Sequence, residues 1–239
     1  MIRRLRVGRL LWTFLVGFYF MVFFYNFFNF AYARTNSTET NPQATLPILF
    51  AIIFVGWLMV EYYYGFPFFQ SGIVEASAFW RGVFAFFVYP YFGFLAADFL
   101  WWRVSQIPVP IALTGVLGLA LFGLGVYLRL NILFSVLNIA EWKPGDGRRK
   151  EECLIPEKRF VALRLQRICR HPRYLGTFIQ LIGAALVFRS WGGLVLALVL
   201  GLPLIWVQVR HEDKKLRPVL KNEFNRYGTD VPMFWPRFR

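Results

Sequence analysis

Residues 168–179 read RICRHPRYLGTF. Arg170, His171 and Arg173 crowd the point where a charged stretch turns apolar. Pro172 suits the first turn of a helix, where its missing N–H costs nothing. A helix starting near 172–174 presents free backbone N–H groups and the positive end of its dipole. That chemistry welcomes a carboxylate or a phosphate. Gly176 removes a side chain one turn in, which leaves room for a flat ligand or for another backbone. The competing reading is a basic anchor at a membrane interface, with His171 an incidental polar residue.

Two further groups carry charge into apolar surroundings. In RHEDKKL, residues 210–216, Glu212 and Asp213 follow an apolar run. If that run folds back on the one after Pro172, the two acids face Arg170 and His171. Such a cluster is either an ordinary salt-bridge network or a pocket for a zwitterionic cofactor. In the pocket, Arg170 or a backbone N–H takes the carboxylate and Glu212 the ammonium. In LFGLGVYLRLN, residues 121–131, Gly123 and Gly125 permit close helix packing. Arg129 is an ionisable group inside an apolar run, so it needs a partner or a task. Glu61 is the candidate partner. Asp98 is expected to snorkel or to meet Arg103 near the opposite surface. Cys153, Cys169, His171 and His211 match no compact zinc-ligand spacing, and no metal is expected.

The elements that hold these residues must be membrane helices. The chain has 239 residues, of which 57% are hydrophobic and 20% aromatic. A spanning helix needs roughly 20 apolar residues. Six stretches approach that length, at about 10–33, 46–64, 79–101, 109–139, 174–189 and 193–209. The expected fold is an all-α integral membrane protein with about six transmembrane helices. Only Ser190, Trp191 and Gly192 separate the last two stretches, which predicts a tight helical hairpin. The first stretch follows Arg3, Arg4, Arg6 and Arg9 and has no small-residue cleavage site after it, which reads as an uncleaved signal anchor.

The net charge of +14 is distributed unevenly. With the N-terminus in the cytoplasm, all of the 27 Lys and Arg residues face the cytoplasm except Arg34, Arg103, Arg189 and the intramembrane Arg129. This positive-inside pattern puts both termini in the cytoplasm. Anionic lipid headgroups are the natural partner of the basic surface. Nucleic acid is not, because no aromatic-rich soluble module accompanies the charge. Cys153 and Cys169 fall in the cytoplasmic loop, where thiols stay reduced. Asn36-Ser37-Thr38 is a glycosylation acceptor pattern on the outer side.

Residues 1–108 form an aromatic-rich accessory half with three spans. Residues 109–239 hold the fourth span, a charged loop, the hairpin and a basic tail. Pro144-Gly145-Asp146-Gly147 marks a turn. Residues 157–170 suit an interfacial helix. Pro218 is expected to bend or break the helix that leaves the sixth span. The end, VPMFWPRFR, is too rich in proline for a regular helix and is expected to pack back on the protein.

Taken together, these motifs resemble one family. RHPRYLG at 170–176 is similar to an Arg-His-Pro-x-Tyr-x-Gly signature. Glu212, Asp213, Leu216, Glu223, Phe224, Tyr227, Val231, Pro232, Phe234 and Pro236 follow the family's closing pattern in order and spacing. The family is the isoprenylcysteine carboxyl methyltransferases and their relatives, the membrane phospholipid N-methyltransferases. The resemblance covers roughly residues 115–239. It implies a membrane enzyme that uses S-adenosylmethionine and a lipophilic methyl acceptor. By position it carries the cofactor pocket onto Arg170, His171, Pro172, Tyr174, Gly176, Glu212 and Asp213. The phospholipid branch adds a Gly-x-Gly, here Gly123 and Gly125. This chain departs from the family in two places. FVALRLQRIC stands where most members have a Gly-Pro-Tyr turn, and the acidic pair is Glu-Asp rather than Glu-Glu.

Such a reaction asks the protein to align the acceptor and exclude water, not to supply a covalent nucleophile. A carboxylate acceptor needs no general base. An amine must arrive neutral or lose its proton to a group such as Glu212. Arg129 is the expected group that steers an anionic acceptor. The rival readings are an NADPH-dependent membrane sterol reductase, whose tail is similar, and a non-catalytic membrane scaffold.

Overall fold

The computed structural model describes residues 42–63, 78–139 and 169–234, together with Leu11, Phe14, Leu15, Phe18 and Val22. The stretch 10–33 falls almost wholly outside these residues. So do the glycosylation pattern at Asn36, the turn at 144–147, Cys153 and most of the stretch 157–170.

The described residues are helical, with no strand beyond an isolated bridge between Gln106 and Ser190. Helix α1 is Pro42–Tyr63 and α2 is Ala78–Ala97, which ends in a π-turn at Asp98–Trp102. Helix α3 is Ile111–Ile139 and α4 is Pro172–Val187. Helix α5, Trp191–Leu196, passes through a π-segment at Ala197–Gly201 into α6, Leu202–Asp230. Three stretches among the described residues are long and apolar enough to cross a membrane: Gly82–Trp102, Ile111–Ile132 and Trp191–Lys214. Leu46–Glu61 is a shorter apolar helix, and α4 has 16 residues. At ~1.5 Å per residue, α4 reaches only about 24 Å.

The π-segment has a local cause. Pro203 brings no N–H to the ladder and disfavours regular α geometry just before it. The N–H of Leu202 reaches back five residues to the Ala197 carbonyl instead. Pro218 does not break its helix. Helix α6 runs through it without ending.

Helices α3 and α4 pack along their length on four glycines. Gly118 and Gly125 on α3 are seven residues apart, as are Gly176 and Gly183 on α4, so each pair occupies one helix face. A Cβ at Gly183 would stand 2.6 Å from the Phe122 backbone nitrogen and 2.8 Å from the Gly118 oxygen. One at Gly176 would stand 2.8 Å from the Gly125 oxygen. No real Cβ fits at those distances, so backbone approaches backbone. Around this contact lies an aromatic core. Phe50 of α1 meets Phe122 of α3 edge-on at 4.7 Å and Phe188 at 5.4 Å between ring centroids. Such edge-to-face pairs add attraction beyond the area they bury.

The end of the bundle where α2 finishes is tied by Asp98. Sequence position suggested a snorkelling side chain or a pair with Arg103. The carboxylate is buried instead. It accepts hydrogen bonds from the Ser105 hydroxyl at 2.5 Å, the Ser190 hydroxyl at 2.8 Å and the Val104 N–H at 3.0 Å. Arg103 contributes its backbone N–H, which donates to the Asp98 carbonyl at 2.8 Å. The reason is local. The π-turn closes on Asp98, and Ser105 and Ser190 offer short hydroxyls that a buried carboxylate needs. Backbone bonds from Ile107 to Arg189 and from Trp191 to Ser105 complete the junction.

These contacts give a clean contrast between glycines. Gly183→Ala should lower the thermal unfolding temperature of the detergent-purified protein by several degrees, because the backbone of α3 must move. Gly56→Ala, where an added Cβ meets nothing within 4 Å, should leave it unchanged or raise it slightly, since alanine favours a helix by up to about 1 kcal/mol.

Candidate functional site

At the opposite end of the bundle, the charged residues singled out from the sequence converge. Helix α4 begins at Pro172, with His171 at its N-cap and no side-chain cap. The His171 carbonyl accepts from the Tyr174 and Leu175 N–H groups, both at 3.1 Å. His171 and Arg170 turn to α6. The Asp213 carboxylate divides between them, with Oδ1 at 2.7 Å from His171 Nε2 and Oδ2 at 3.0 Å from Arg170 Nη1. Glu212 Oε2 lies 3.8 Å from His171 Nδ1, too far for a hydrogen bond. The Tyr174 hydroxyl faces the Glu212 carboxylate, and the Tyr174 ring meets the His171 ring edge-on at 5.7 Å.

Residues 231–234, the start of the tail, pack back on this wall, and the rest of VPMFWPRFR lies outside the described residues. The Pro232 carbonyl accepts from the Arg170 N–H at 2.9 Å. Phe234 is buried against Phe178 of α4, with ring centroids 6.2 Å apart. Cys169 is a free, buried thiol just before the wall. Burial pushes it up to about 11, so at neutral pH it is a protonated, unreactive thiol.

A second cluster lies deeper. Arg129 is fully buried and forks onto Glu61, Nε to Oε1 at 2.9 Å and Nη2 to Oε2 at 2.7 Å. Its Nη1 donates to Thr177 Oγ1 of α4, and its guanidinium lies 5.1 Å from the centre of the Trp57 ring. Arg173 also reaches Glu61, Nη2 to Oε2 at 3.2 Å. The Thr177 hydroxyl donates to the Arg173 carbonyl at 3.1 Å. One carboxylate of α1 therefore holds two guanidinium groups, one from α3 and one from α4.

The residues picked out from sequence separate into three groups. Arg170, His171, Tyr174, Glu212 and Asp213 meet in one wall. Pro172 starts the helix that carries them. Gly125 and Gly176 lie face to face in the α3–α4 contact, so the room left by Gly176 is filled by another backbone. Gly123 points elsewhere: an added Cβ there meets nothing within 4 Å. Arg129 found the partner its position asked for, Glu61. Sequence reading missed Arg173 and Thr177 as members of that cluster. Their four-residue spacing on α4 put them on one helix face, and this was the available signal.

Arg129→Ala should cost about 3–5 kcal/mol of stability, because it breaks a bidentate buried pair. Arg129→Lys should cost less, keeping the charge but losing the fork. The two are ranked by thermal unfolding in one detergent.

A family model described as phospholipid methyltransferase (PEMT) matches residues 113–223. No curated protein matches the chain. The matched stretch opens on α3 and includes both the Arg170–Gly176 motif and the Glu212–Asp213 pair. The resemblance seen in the motifs thus has an independent counterpart in the family match. Residues 113–223, just under half of the chain, are thus similar to a family of phospholipid methyltransferases.

Proposed function

We propose that the protein transfers a methyl group from S-adenosylmethionine to a lipophilic acceptor at the cytoplasmic membrane face. On this reading residues 109–239 are the catalytic region, α4 and the α5–α6 pair form a membrane hairpin, and the wall at its open end holds the cofactor. The observation that carries the reading is the meeting of Arg170 and His171 with Glu212 and Asp213 inside the stretch matched to a methyltransferase family.

The donor set suits a zwitterion. Arg170 Nε is buried with no hydrogen-bond partner among the described residues. An N–H so placed is costly unless something accepts from it. Arg170 is the residue for the cofactor's carboxylate. Glu212, outside hydrogen-bond reach of His171, is the residue for its ammonium, with Tyr174 beside it. When bound, S-adenosylmethionine supplies a methyl group on a sulfonium, which is already electrophilic. The chain's own work is then to orient the acceptor and keep water out. Asp213 fixes the His171 ring and the Arg170 guanidinium. Gly125 and Gly176 serve by letting α3 and α4 close together, and Gly123 is free to line a surface away from that contact. Arg129, committed to Glu61 and Thr177, supports the wall from beneath and does not meet an acceptor directly. For an amine acceptor, Glu212 is the proton-accepting group. An isoprenylcysteine carboxylate or an anionic lipid needs none. The family match is to methyltransferases, and nothing favours the sterol-reductase reading over it.

Glu212→Gln should weaken binding of S-adenosylmethionine by roughly 10–100-fold, the range expected for one hydrogen bond to a charged group. Calorimetry on the protein in nanodiscs reads this directly. Incubation with radiolabelled S-adenosylmethionine and mixed lipids should place label in the lipid fraction. Unchanged affinity in Glu212→Gln, or label in no lipid, would count against the assignment.

A further inference from the structure

We propose that the outward face of α6 docks the headgroup of an anionic membrane lipid, with Trp206 and Arg210 at the centre of the contact. The inference does not depend on which group the site transfers.

Val199, Pro203, Trp206, Arg210, Lys214 and Arg217 are all exposed. Their spacing alternates between three and four residues, which keeps them on one face of the helix. The buried face of the same helix carries Ile205, Val209, Glu212 and Asp213. The exposed stripe changes character at one point. It is apolar as far as Trp206. From there to Arg217 every exposed residue among those described is basic. An apolar face that ends on a tryptophan and continues in cations matches the boundary between hydrocarbon and headgroups. The segment Trp191–Lys214 is long and apolar enough to cross a membrane, and a second exposed tryptophan, Trp191, stands at its other end.

Arg210 is drawn back to that boundary. Its guanidinium lies 5.3 Å from the centre of the Trp206 ring, within cation–π range. Long side chains on a helix lean toward its N-terminus, here toward the apolar segment. The guanidinium therefore sits at the depth of the ring, among headgroups, and not out in water. Among the described residues it meets this ring and no carboxylate. A planar guanidinium offers paired donors that match the oxygens of a phosphodiester. Lys214 adds a second charge one turn outward, and Arg217 a third. Three cations on one exposed face favour a headgroup with net negative charge over a zwitterionic one. The apolar half of the stripe, at Pro203 and Val199, gives acyl chains a surface to lie along. The occupant is thus a lipid and not a free phosphate. The contact also has a consequence for the wall. Glu212 lies six residues beyond Trp206 on the same helix, about 9 Å farther out along the axis. A lipid held at Trp206 and Arg210 fixes the wall in the headgroup layer.

The test measures lipid selectivity. The full-length protein is equilibrated in mixed micelles of equimolar dioleoylphosphatidylglycerol and dioleoylphosphatidylcholine and re-isolated, and the retained lipid is extracted and quantified by mass spectrometry. Wild type should retain phosphatidylglycerol over phosphatidylcholine by about fivefold or more. Replacing Arg210, Lys214 and Arg217 together by Gln should reduce the preference to less than about twofold, with the unfolding temperature unchanged, because exposed positions carry little stability. Arg210→Gln alone should fall between the two, and it carries the test if the triple variant does not fold. A control removes equal charge elsewhere, replacing Arg148, Arg149 and Lys150 by Gln, and should keep most of the preference. No preference in wild type, or full preference in the triple variant, overturns the proposal. An equal loss in the control also overturns it, because the attraction is then diffuse and not a docking surface. Millimolar inorganic phosphate should leave the preference intact. If it abolishes the preference, the stripe binds a free anion and the lipid is the wrong occupant.

Discussion

A guanidinium placed among apolar helices needs a carboxylate, and Glu61 serves two of them. Charges in such surroundings are expensive to desolvate and persist only when paired with good geometry. Arg129 meets that condition with a fork onto Glu61, a bond to Thr177 and the face of Trp57. Arg173 shares the same carboxylate. The result joins α1, α3 and α4 by directional bonds. Close packing of small residues selects which faces of α3 and α4 meet. The buried ionic cluster adds to this, because turning any of the three helices strands a charge.

Close approach of α3 and α4 is what puts these groups within bonding distance. The paired glycines remove the side chains that would hold the helices at the usual separation of about 8–10 Å. Arg129 sits one turn beyond Gly125, and Thr177 follows Gly176 directly. A Cβ at Gly176 would stand 3.1 Å from Arg129 Cγ, so the aliphatic stem of Arg129 lies along the gap the glycine leaves. The glycine contact and the ion cluster are therefore one device. At the other end of the bundle Asp98 does comparable work with hydroxyls and backbone N–H groups in place of guanidinium groups. The Asp98 junction ties the end of α2 to the turn between α4 and α5, the Glu61 cluster ties α1, α3 and α4, and among the described residues the mixed charges gather at the second of these ends.

The sequence made the charged end of the bundle legible because polar residues are rare in this chain and each one is conspicuous. The apolar runs at 46–64, 79–101, 109–139 and 193–209 correspond to helices, and the proline at 172 starts α4. Glu61 and Arg129 were matched because a buried charge implies its opposite. What escaped needed three dimensions. Asp98 has Arg103 five residues away, but the chain turns so that Ser190, distant in sequence, arrives first. Gly176 left room for a ligand or for another backbone, and the spacing of Gly118, Gly125 and Gly183 beside it decides for the backbone. Seven-residue spacing on two helices is a packing signal, and it is visible only when the two helices are known to be neighbours. Of the bend or break expected at Pro218, the break is absent, because local propensity does not decide where so long a helix ends. Arg173 was hidden by its own motif, where it occupies the variable position.

The acidic pair shows how two adjacent carboxylates can take different neighbours. Asp213 spends both oxygens on its neighbours, one on His171 and one on Arg170. Glu212, one residue earlier on the same helix, approaches His171 only to 3.8 Å. The shorter side chain stands at the position that bonds both residues before the start of α4. The longer one suits a group that must reach past its own helix toward a ligand. This is a physical reason for Glu-Asp in a place where relatives are expected to carry Glu-Glu: the second acid is an internal tie. Its work is to present Arg170 and His171 in fixed orientation. On the proposed reading, Glu212 is the acid that meets the cofactor's ammonium, and Asp213 holds steady the wall in which it does so.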